Sequence, residues 1–231
     1  MRRNLIKWCC FSILLIAAFF LLSGKETAVF SEKEDIIIRR FATDKREVII
    51  LIETAFGDDH TAEILEVLKK HRAKACFAVM GLWAEGNPDS VNKIIENGHD
   101  MISHSMHHPH YSELSEEEIK KDMALSFLQL KELTAEEIPA IYLPFCEEDE
   151  RVLQVLFENG IVPIGCGIDS LDYTGLSSEK MAEDILIKIK GGEIILFRNN
   201  CENTAKAIDL MLTEMDKRHY RLISIKKILF E

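Results

Sequence analysis

Two histidines with three residues between them form the strongest chemical signal in this sequence. His104 and His108 lie in a histidine-rich stretch directly after a short strand-like segment, residues 100–103. Two imidazoles at this spacing can reach one divalent cation if the chain makes a helical turn. The pattern therefore predicts a metal site, although loop histidines that form ordinary hydrogen bonds show the same spacing.

Strands and helices alternate along the chain around these histidines. Residues 48–52 form a continuous β-branched and leucine run, typical of a strand buried on both faces. Ser115 and Glu118 form a capping box that opens a long helix. The predicted strands are residues 48–52, 75–80, 100–103, 141–145, 161–168, 193–197 and 220–224. This alternation predicts a parallel sheet, either a doubly wound open sheet or an incomplete (β/α) barrel.

Chemistry is expected in the loops after the carboxyl ends of such strands. The five loops are residues 53–60, 103–111, 145–149, 169–174 and 198–203. They collect most of the polar and titratable side chains that could act together: Glu53, Asp58, Asp59, His104, His108, Asp169, Asp172, Arg198 and Asn199. Carboxylates and imidazoles at one end of a sheet suit a metal that activates water.

Several ordered segments of the chain resemble the polysaccharide deacetylase family, the NodB-homology domain of carbohydrate esterases. The matching segments are residues 61–70, 74–81, 97–108, 169–173 and 192–197. The resemblance covers about residues 48–229 and favours a distorted (β/α)7 barrel over the doubly wound sheet. The first loop, with Phe56 and Gly57 before Thr61, is similar to the branch that has Trp-Gly there, seen in sporulation and cell-wall deacetylases.

The resemblance implies hydrolysis of an N-acetyl group on a glycan such as peptidoglycan. In the family, a divalent metal (zinc or similar) held by one Asp and two His polarises the carbonyl and a water. A nearby Asp is the general base, a His after a late strand protonates the leaving amine, and an Arg in an Arg-Pro-Pro segment orients the base. His104 and His108 match the metal-binding histidines, and Glu53 stands at the position of the base.

The chain departs from the family at three other positions. Thr54 stands where many members carry the metal-binding Asp, Tyr142 replaces the orienting Arg, and Arg198 replaces the catalytic His. Because arginine is effectively always protonated, Arg198 cannot donate and regain a proton near neutral pH. Loss of a general acid typically lowers the rate by about 10²- to 10⁴-fold. Arg198 could still stabilise an oxyanion electrostatically.

Eight residues are therefore assigned to the predicted site: Glu53, Asp169 and Arg198 as catalytic, Tyr142, Asp172 and Asn199 as substrate-binding, and His104 and His108 as metal ligands. Glu53, Asp58 or Asp59 could supply the third metal ligand. Three hypotheses remain open for function. The chain is an inactive or weak family member that still binds glycan, an active metal-dependent N-deacetylase with rewired acid and base groups, or a non-catalytic structural protein of the cell envelope.

The N-terminal residues predict export. Arg2, Arg3 and Lys7 precede an apolar run over residues 8–22, which indicates either an uncleaved membrane anchor or a cleaved signal. We predict a transmembrane anchor over residues 1–24, a linker over 25–45 and a NodB-like domain over 46–231. The domain would lie outside the cytoplasm, anchored to the membrane or secreted.

Composition argues against nucleic acid as a partner, but it does not assign a role to the cysteines. The formal charge of −11 argues against nucleic acid binding, which rewards basic surfaces. No CxxC pair occurs among the six cysteines, so a structural zinc knuckle is unsupported. An exported location permits a disulfide, but the sequence specifies no pair.

Overall fold

The computed structural model describes residues 36–54 and 56–231. The strands in this part of the chain are β1 (Glu47–Glu53), β2 (Cys76–Val79), β3 (Asp100–Ser103), β4 (Ala140–Tyr142), β5 (Val162–Ile164), β6 (Ile168–Asp169), β7 (Ile194–Arg198) and β8 (Arg221–Leu222). The helices are α1 (Thr61–Lys70), α2 (Gly81–Gly86), α3 (Pro88–Glu96), α4 (Glu116–Thr134), α5 (Glu150–Glu158), α6 (Ser178–Lys188), α7 (Thr204–Lys217) and α8 (Ile225–Phe230). Short 3₁₀ turns occupy Tyr111–Glu113, Pro144–Cys146 and Asp172–Thr174.

The strands form one parallel sheet that curves into a half-barrel. Their order is β5-β4-β3-β2-β1-β7-β6, with β8 beside the start of β1. The two ends of this order, β5 and β6, are not paired with each other. The predicted α/β architecture of NodB type is confirmed at this level, as a parallel-strand half-barrel.

Central strand β1 is buried on both faces, as its continuous apolar run predicts. Ile50 and Ile52 pack with the surrounding helices, whereas Ile49 and Leu51 pack in the barrel interior. Because side chains alternate along a strand, Glu53 follows Ile49 and Leu51 on the interior face. The end of β1 therefore presents a carboxylate to the barrel mouth.

The predicted strand over residues 161–168 is divided into β5 and β6. Gly165 and Gly167 lie between the two strands, where the segment before β1 approaches closely. A Cβ at Gly167 would lie 2.8 Å from a backbone oxygen of that segment. The close approach accounts for glycine here and for the break in the strand.

That segment, residues 36–41, lies along the open side of the sheet. Ile38 bridges to Ile164 of β5, and Arg40 bridges to Glu193 just before β7. The compact unit accordingly begins at Ile36, so the described part of the predicted linker is bound to the barrel. The predicted anchor over residues 1–24 lies outside the described residues. Among the helices that the structure describes, none is long and apolar enough to cross a membrane.

Two local differences affect the loops of the site. The predicted strand over residues 141–145 ends at Tyr142, because Pro144 begins a 3₁₀ turn. Helix α2, which the sequence analysis does not predict, is only six residues long and has glycine at both ends. Its first two amides bond the carbonyls of Ser105 and Met106, so α2 supports the histidine loop.

Candidate metal and catalytic site

The sheet register places Glu53 beside Arg198 at the barrel mouth. These residues end the neighbouring parallel strands β1 and β7 and are directly paired in register. In-register neighbours project to the same face of a sheet, so the two side chains lie together. Arg198 Nε is 3.6 Å from Glu53 Oε2, an ion-pair distance.

His104 and His108 also converge at this mouth, but through a loop and not a helical turn. Residues 104–110 have no helical hydrogen bonding, and Ser105 and His108 adopt positive φ angles of 64° and 56°. The hydroxyl of Ser105 accepts from the amide of His108 at 2.8 Å, which holds the bend. The ring centroids of the two histidines lie 4.8 Å apart. Left-handed backbone at non-glycine residues is uncommon and is found at functional sites.

Asp122 of α4 fixes this loop and was not identified from the sequence. Its carboxylate accepts from the backbone amides of Met106 and His107 and from the hydroxyl of Tyr111. It also lies 2.6 Å from Nδ1 of His107. The available signal was an acidic residue on the otherwise apolar face of α4, between Ile119 and Met123.

Three side chains form a cluster that fits a divalent cation. One ligand atom from each of Glu53, His104 and His108 lies within 4.8 Å of the others. His104 is fully buried, and its Nδ1 donates to the carbonyl oxygen of Tyr142 at 2.7 Å. In the neutral ring, Nε2 then carries a lone pair, and this buried atom has no hydrogen-bond partner in the described structure.

The position of Nε2 opposite Glu53 makes the fit specific. Nε2 lies 3.4 Å from Glu53 Oε1. A lone pair facing a carboxylate oxygen repels it unless a proton or a metal cation lies between them. Two ligands of a tetrahedral zinc site, each about 2.0–2.1 Å from the metal, are about 3.3 Å apart. The carbonyl that orients the other ring nitrogen is the usual support of a metal-binding histidine.

The electrostatics of the cluster favour the ligand forms of two of its members. Burial raises the pKa of the Glu53 carboxyl, but a proton held between it and His104, together with the charge of Arg198, outweighs this and holds the pKa below its usual value. Burial and the neighbouring His104 lower the pKa of His108. Glu53 is therefore an anion and His108 a neutral imidazole near neutral pH, the forms in which each binds metal.

Arg198 is held in an ionic network beside the cluster. Its Nη1 donates to both Asp169 and Asp172 at 2.9 Å, and its Nη2 donates to Asp169 at 3.1 Å. Burial alone would lower the pKa of Arg198, but these carboxylates and Glu53 raise it above its usual range. The guanidinium lies 4.6 Å from the ring centroid of Tyr173. Arg198 is thus a fixed cation and not a proton donor.

Tyr142, predicted to bind substrate, lies directly against His104. Its ring stacks against His104 with centroids 5.2 Å apart, and its hydroxyl lies 2.8 Å from Sγ of Cys146. Burial and the neighbouring Cys146 raise the pKa of Tyr142 above its usual range, so the phenol is neutral. Next to it, Phe145 adopts φ 56° and is stacked on His110 with ring centroids 3.7 Å apart.

All four described cysteines, Cys76, Cys146, Cys166 and Cys201, are free thiols.

The structure gives the other candidates different surroundings. The amide of Asn199 is buried and donates to Asp59 and Thr61, so it ties two loops together; its predicted role in substrate binding stays a prediction. Asp59 also accepts from the Ser90 hydroxyl, so its hydrogen bonds are made outside the cluster.

Thr54, at the position of the family's metal-binding Asp, forms hydrogen bonds with backbone groups. Its hydroxyl donates to the Ala78 carbonyl and accepts from the Met80 amide.

Two other histidines, His99 and His110, make contacts away from the cluster. His99 packs edge-on against Phe77, and its Nδ1 accepts from the amide of Ala75. Burial and the charge of Lys74 lower the pKa of His99 to about 4. His110 lies 2.6 Å from a carboxylate oxygen of Glu147.

Comparison with known proteins agrees with this architecture. The sequence profile of the polysaccharide deacetylase family matches residues 41–164. The uncharacterised protein YlxY of Bacillus subtilis is 24% identical over 188 residues, which cover 81% of this chain and 59% of that protein. The peptidoglycan-N-acetylmuramic acid deacetylase PdaA of the same species is 25% identical over 214 residues, 90% of this chain and 81% of that enzyme. The chain thus spans less than two thirds of YlxY.

One solved structure with a similar fold is that of a pseudoenzyme. BA3943, a CE4 family pseudoenzyme from Bacillus anthracis, matches with a TM-score of 0.76 and 25% identity over 82% of this chain and 67% of that one. A mutant of BA3943 with restored enzymatic activity matches with the same TM-score and identity, over 82% of this chain and 70% of that one.

An α/β half-barrel with a carboxylate and imidazole cluster at its mouth defines the chain as a NodB-homology domain. The family profile matches more than half of its residues, and the chain belongs to the polysaccharide deacetylase family.

Proposed function

We propose that this protein binds N-acetylated glycans such as peptidoglycan at the half-barrel mouth and hydrolyses them weakly or not at all. A divalent cation, zinc or similar, would be held there by His104, His108 and a carboxylate. The observation that carries this proposal is the environment of Arg198. A permanently charged guanidinium, bound by Asp169 and Asp172, occupies the position of the family's proton donor.

When bound, such a cation would polarise the acetyl carbonyl and a water. The leaving amine would still need a proton, and Arg198 does not release one near neutral pH. Tyr142 stands at the position of the orienting Arg, and its raised pKa keeps the phenol neutral, so it does not supply the positive charge of that Arg. Loss of the general acid lowers the reaction rate by about 10²- to 10⁴-fold. A displaced base lowers the rate by about a further 10²-fold. The expected deacetylation rate is therefore close to background.

Exposed aromatic rings support the glycan-binding part of the proposal. Phe145 is 52% exposed and Tyr173 is 60% exposed, although both are held by neighbouring groups. Phe145 is stacked on His110, and Tyr173 lies over Arg198. Aromatic rings that are fixed in place present apolar faces at low entropic cost, and the C–H faces of sugar rings pack on such surfaces. PdaA, a relative, acts on peptidoglycan, which makes that glycan the first to test.

The test combines binding and acetate release on one preparation of N-acetylated peptidoglycan. We expect the full-length protein to bind it saturably and the variants Phe145→Ala and Tyr173→Ala to bind about tenfold more weakly, or about 1.4 kcal/mol. Phe157→Ala is the matched control, because Phe157 is 66% exposed on α5, outside the loops of the site. No binding by the parent protein, or equal loss in the control, would overturn the proposal.

The intact cluster of Glu53, His104 and His108 favours one alternative, an active N-deacetylase with rewired acid and base groups. Acetate release by the unmodified protein at the rate of an active relative such as PdaA would support it. Under this alternative, the double substitution Arg198→His and Tyr142→Arg raises activity. No change at all in that variant would contradict it.

We also propose that the domain lies outside the cytoplasm, held by an N-terminal anchor or secreted after cleavage. The supporting features are Arg2, Arg3 and Lys7 before the apolar run over residues 8–22. Membrane fractionation with N-terminal sequencing of the expressed protein distinguishes anchor from cleaved signal. Recovery of the intact chain in the soluble cytoplasmic fraction would contradict both.

A further inference from the structure

Glu53 has a nitrogen atom of another side chain opposite each of its two carboxylate oxygens. Oε1 is 3.4 Å from His104 Nε2, and Oε2 is 3.6 Å from Arg198 Nε. The side chain is largely buried between these two groups, with 13% of it exposed. A general base needs an oxygen that faces the attacking water. In this arrangement both oxygens of Glu53 face other partners.

No other carboxylate among the described residues joins the two histidines. The cluster that could hold a metal consists of Glu53, His104 and His108. Asp59 binds Ser90 and Thr61, and Asp169 pairs with Arg198. The neighbour of Glu53, Thr54, uses its hydroxyl on backbone groups.

A second observation concerns the imidazole of His104. His104 is fully buried, and its Nε2 is aimed at Glu53 with no hydrogen-bond partner among the described atoms. A buried polar nitrogen without a partner is costly, and metal coordination is one way to satisfy it. The extra methylene of glutamate, compared with the aspartate of the family, lets the carboxylate reach from the end of β1 towards this nitrogen.

We propose that Glu53 is the third protein ligand of the divalent cation. The carboxylate at the family's base position then binds the metal and is not free to act as the general base. This inference rests on the metal-binding part of the proposed function. It makes the site a Glu-His-His centre with no separate general base. Arg198 then lies against the second oxygen of the ligand and stays paired with Asp169 and Asp172.

The experiment measures Zn²⁺ and Co²⁺ affinity of the full-length protein by calorimetry and by the visible absorption of bound Co²⁺, which depends on coordination number. We expect one ion per chain in the parent protein. Glu53→Gln, which keeps size and shape, should weaken affinity at least about tenfold and change the Co²⁺ spectrum. Glu53→Asp should also weaken binding, because its carboxylate is withdrawn by one methylene.

Asp58→Asn and Asp59→Asn, at the two other carboxylates considered as third ligands, are the matched controls, and each should keep the parent affinity within about threefold. Unfolding curves of the metal-free variants check that Glu53→Gln is folded. Unchanged affinity and spectrum in a folded Glu53→Gln variant would overturn this inference and leave the proposed function standing. Absence of metal binding in the parent protein would instead overturn both the inference and the metal part of the proposed function. Unchanged affinity in Glu53→Asp, with a gain in acetate release, would mean that this carboxylate acts as a base.

Discussion

The carboxylate of Asp172 receives hydrogen bonds from both the side chain and the backbone of Arg198. Nη1 donates to Oδ1 at 2.9 Å, and the backbone amide donates to Oδ2 at 2.7 Å. The hydroxyl of Thr204 donates to Oδ2 as well. This arrangement anchors the end of β7 to the loop after β6, so Arg198 has a structural function in this chain.

Replacement of Arg198 by methionine should destabilise the protein strongly. The side chain of Asp172 is fully buried, and the substitution removes its countercharge. We expect the free energy of unfolding to fall by about 3–5 kcal/mol, the usual cost of breaking a buried ion pair on one side. Urea unfolding followed by circular dichroism measures the change.

Lys206→Met is the comparison, because Lys206 pairs with Glu179 at the exposed surface. That substitution should change stability much less, since exposed ion pairs contribute little. Equal effects of the two substitutions would show that the network around Arg198 is not a buried ion pair of ordinary strength.

Asp122→Ala should loosen the histidine loop. The substitution leaves the amides of Met106 and His107 without their acceptor. It also leaves the buried hydroxyl of Tyr111 without its acceptor. An unsatisfied buried donor costs about 1–3 kcal/mol and the two partly buried amides add less, so we expect a loss of about 2–4 kcal/mol in unfolding free energy. Metal affinity should fall in parallel, because His104 and His108 flank these amides. Lys121→Ala, at the exposed neighbouring position, should change neither quantity; an unaltered metal affinity in Asp122→Ala would contradict the role of Asp122.

Gly81→Ala tests the contact between α2 and the same loop. An added Cβ would overlap Sδ of Met106 and lie 3.1 Å from its Cα, so the Met106 side chain must move and its backbone must give slightly. We expect a loss of about 1–3 kcal/mol, as for other overpacked sites. Gly86→Ala at the other end of α2 meets nothing within 4 Å and serves as control. Thermal unfolding of the two variants should separate them, and equal melting temperatures would contradict the close contact.

His99 should make stability depend on pH between about 6.5 and 4. Burial and the charge of Lys74 lower the pKa of the folded imidazole to about 4, below its unfolded value near 6.5. As the pH falls through this window, the unfolded chain binds the proton before the folded one, so the unfolding free energy decreases. Above pH 6.5 both states are neutral and His99 contributes no slope.

The measurement for His99 is the urea midpoint against pH for the parent protein and for His99→Gln, which keeps a hydrogen-bond acceptor for the amide of Ala75. The difference between the two curves should be flat above pH 6.5 and should change towards pH 4 in favour of the variant. Parallel curves over the whole range would exclude His99 as the source.

Local sequence patterns predicted much of the architecture. The alternation of apolar runs and amphipathic helices predicted the parallel α/β layout, because hydrophobic periodicity follows directly from side-chain geometry. The capping box of Ser115 and Glu118 is present as predicted, since both partners lie within one turn. The division of strand 161–168 was not predictable locally, because it depends on the approach of residues 36–41 from far along the chain.

The sequence by itself determined which residue types gather at the strand ends, because the residues that follow each apolar run can be read directly from it. It left open which carboxylate would join His104 and His108 and what Arg198 would contact. Only the tertiary structure decided these, through the in-register pairing of Glu53 with Arg198 and the left-handed backbone at Ser105 and His108. The physical reason is that strand register and loop conformation arise from contacts between distant segments, which no local pattern encodes.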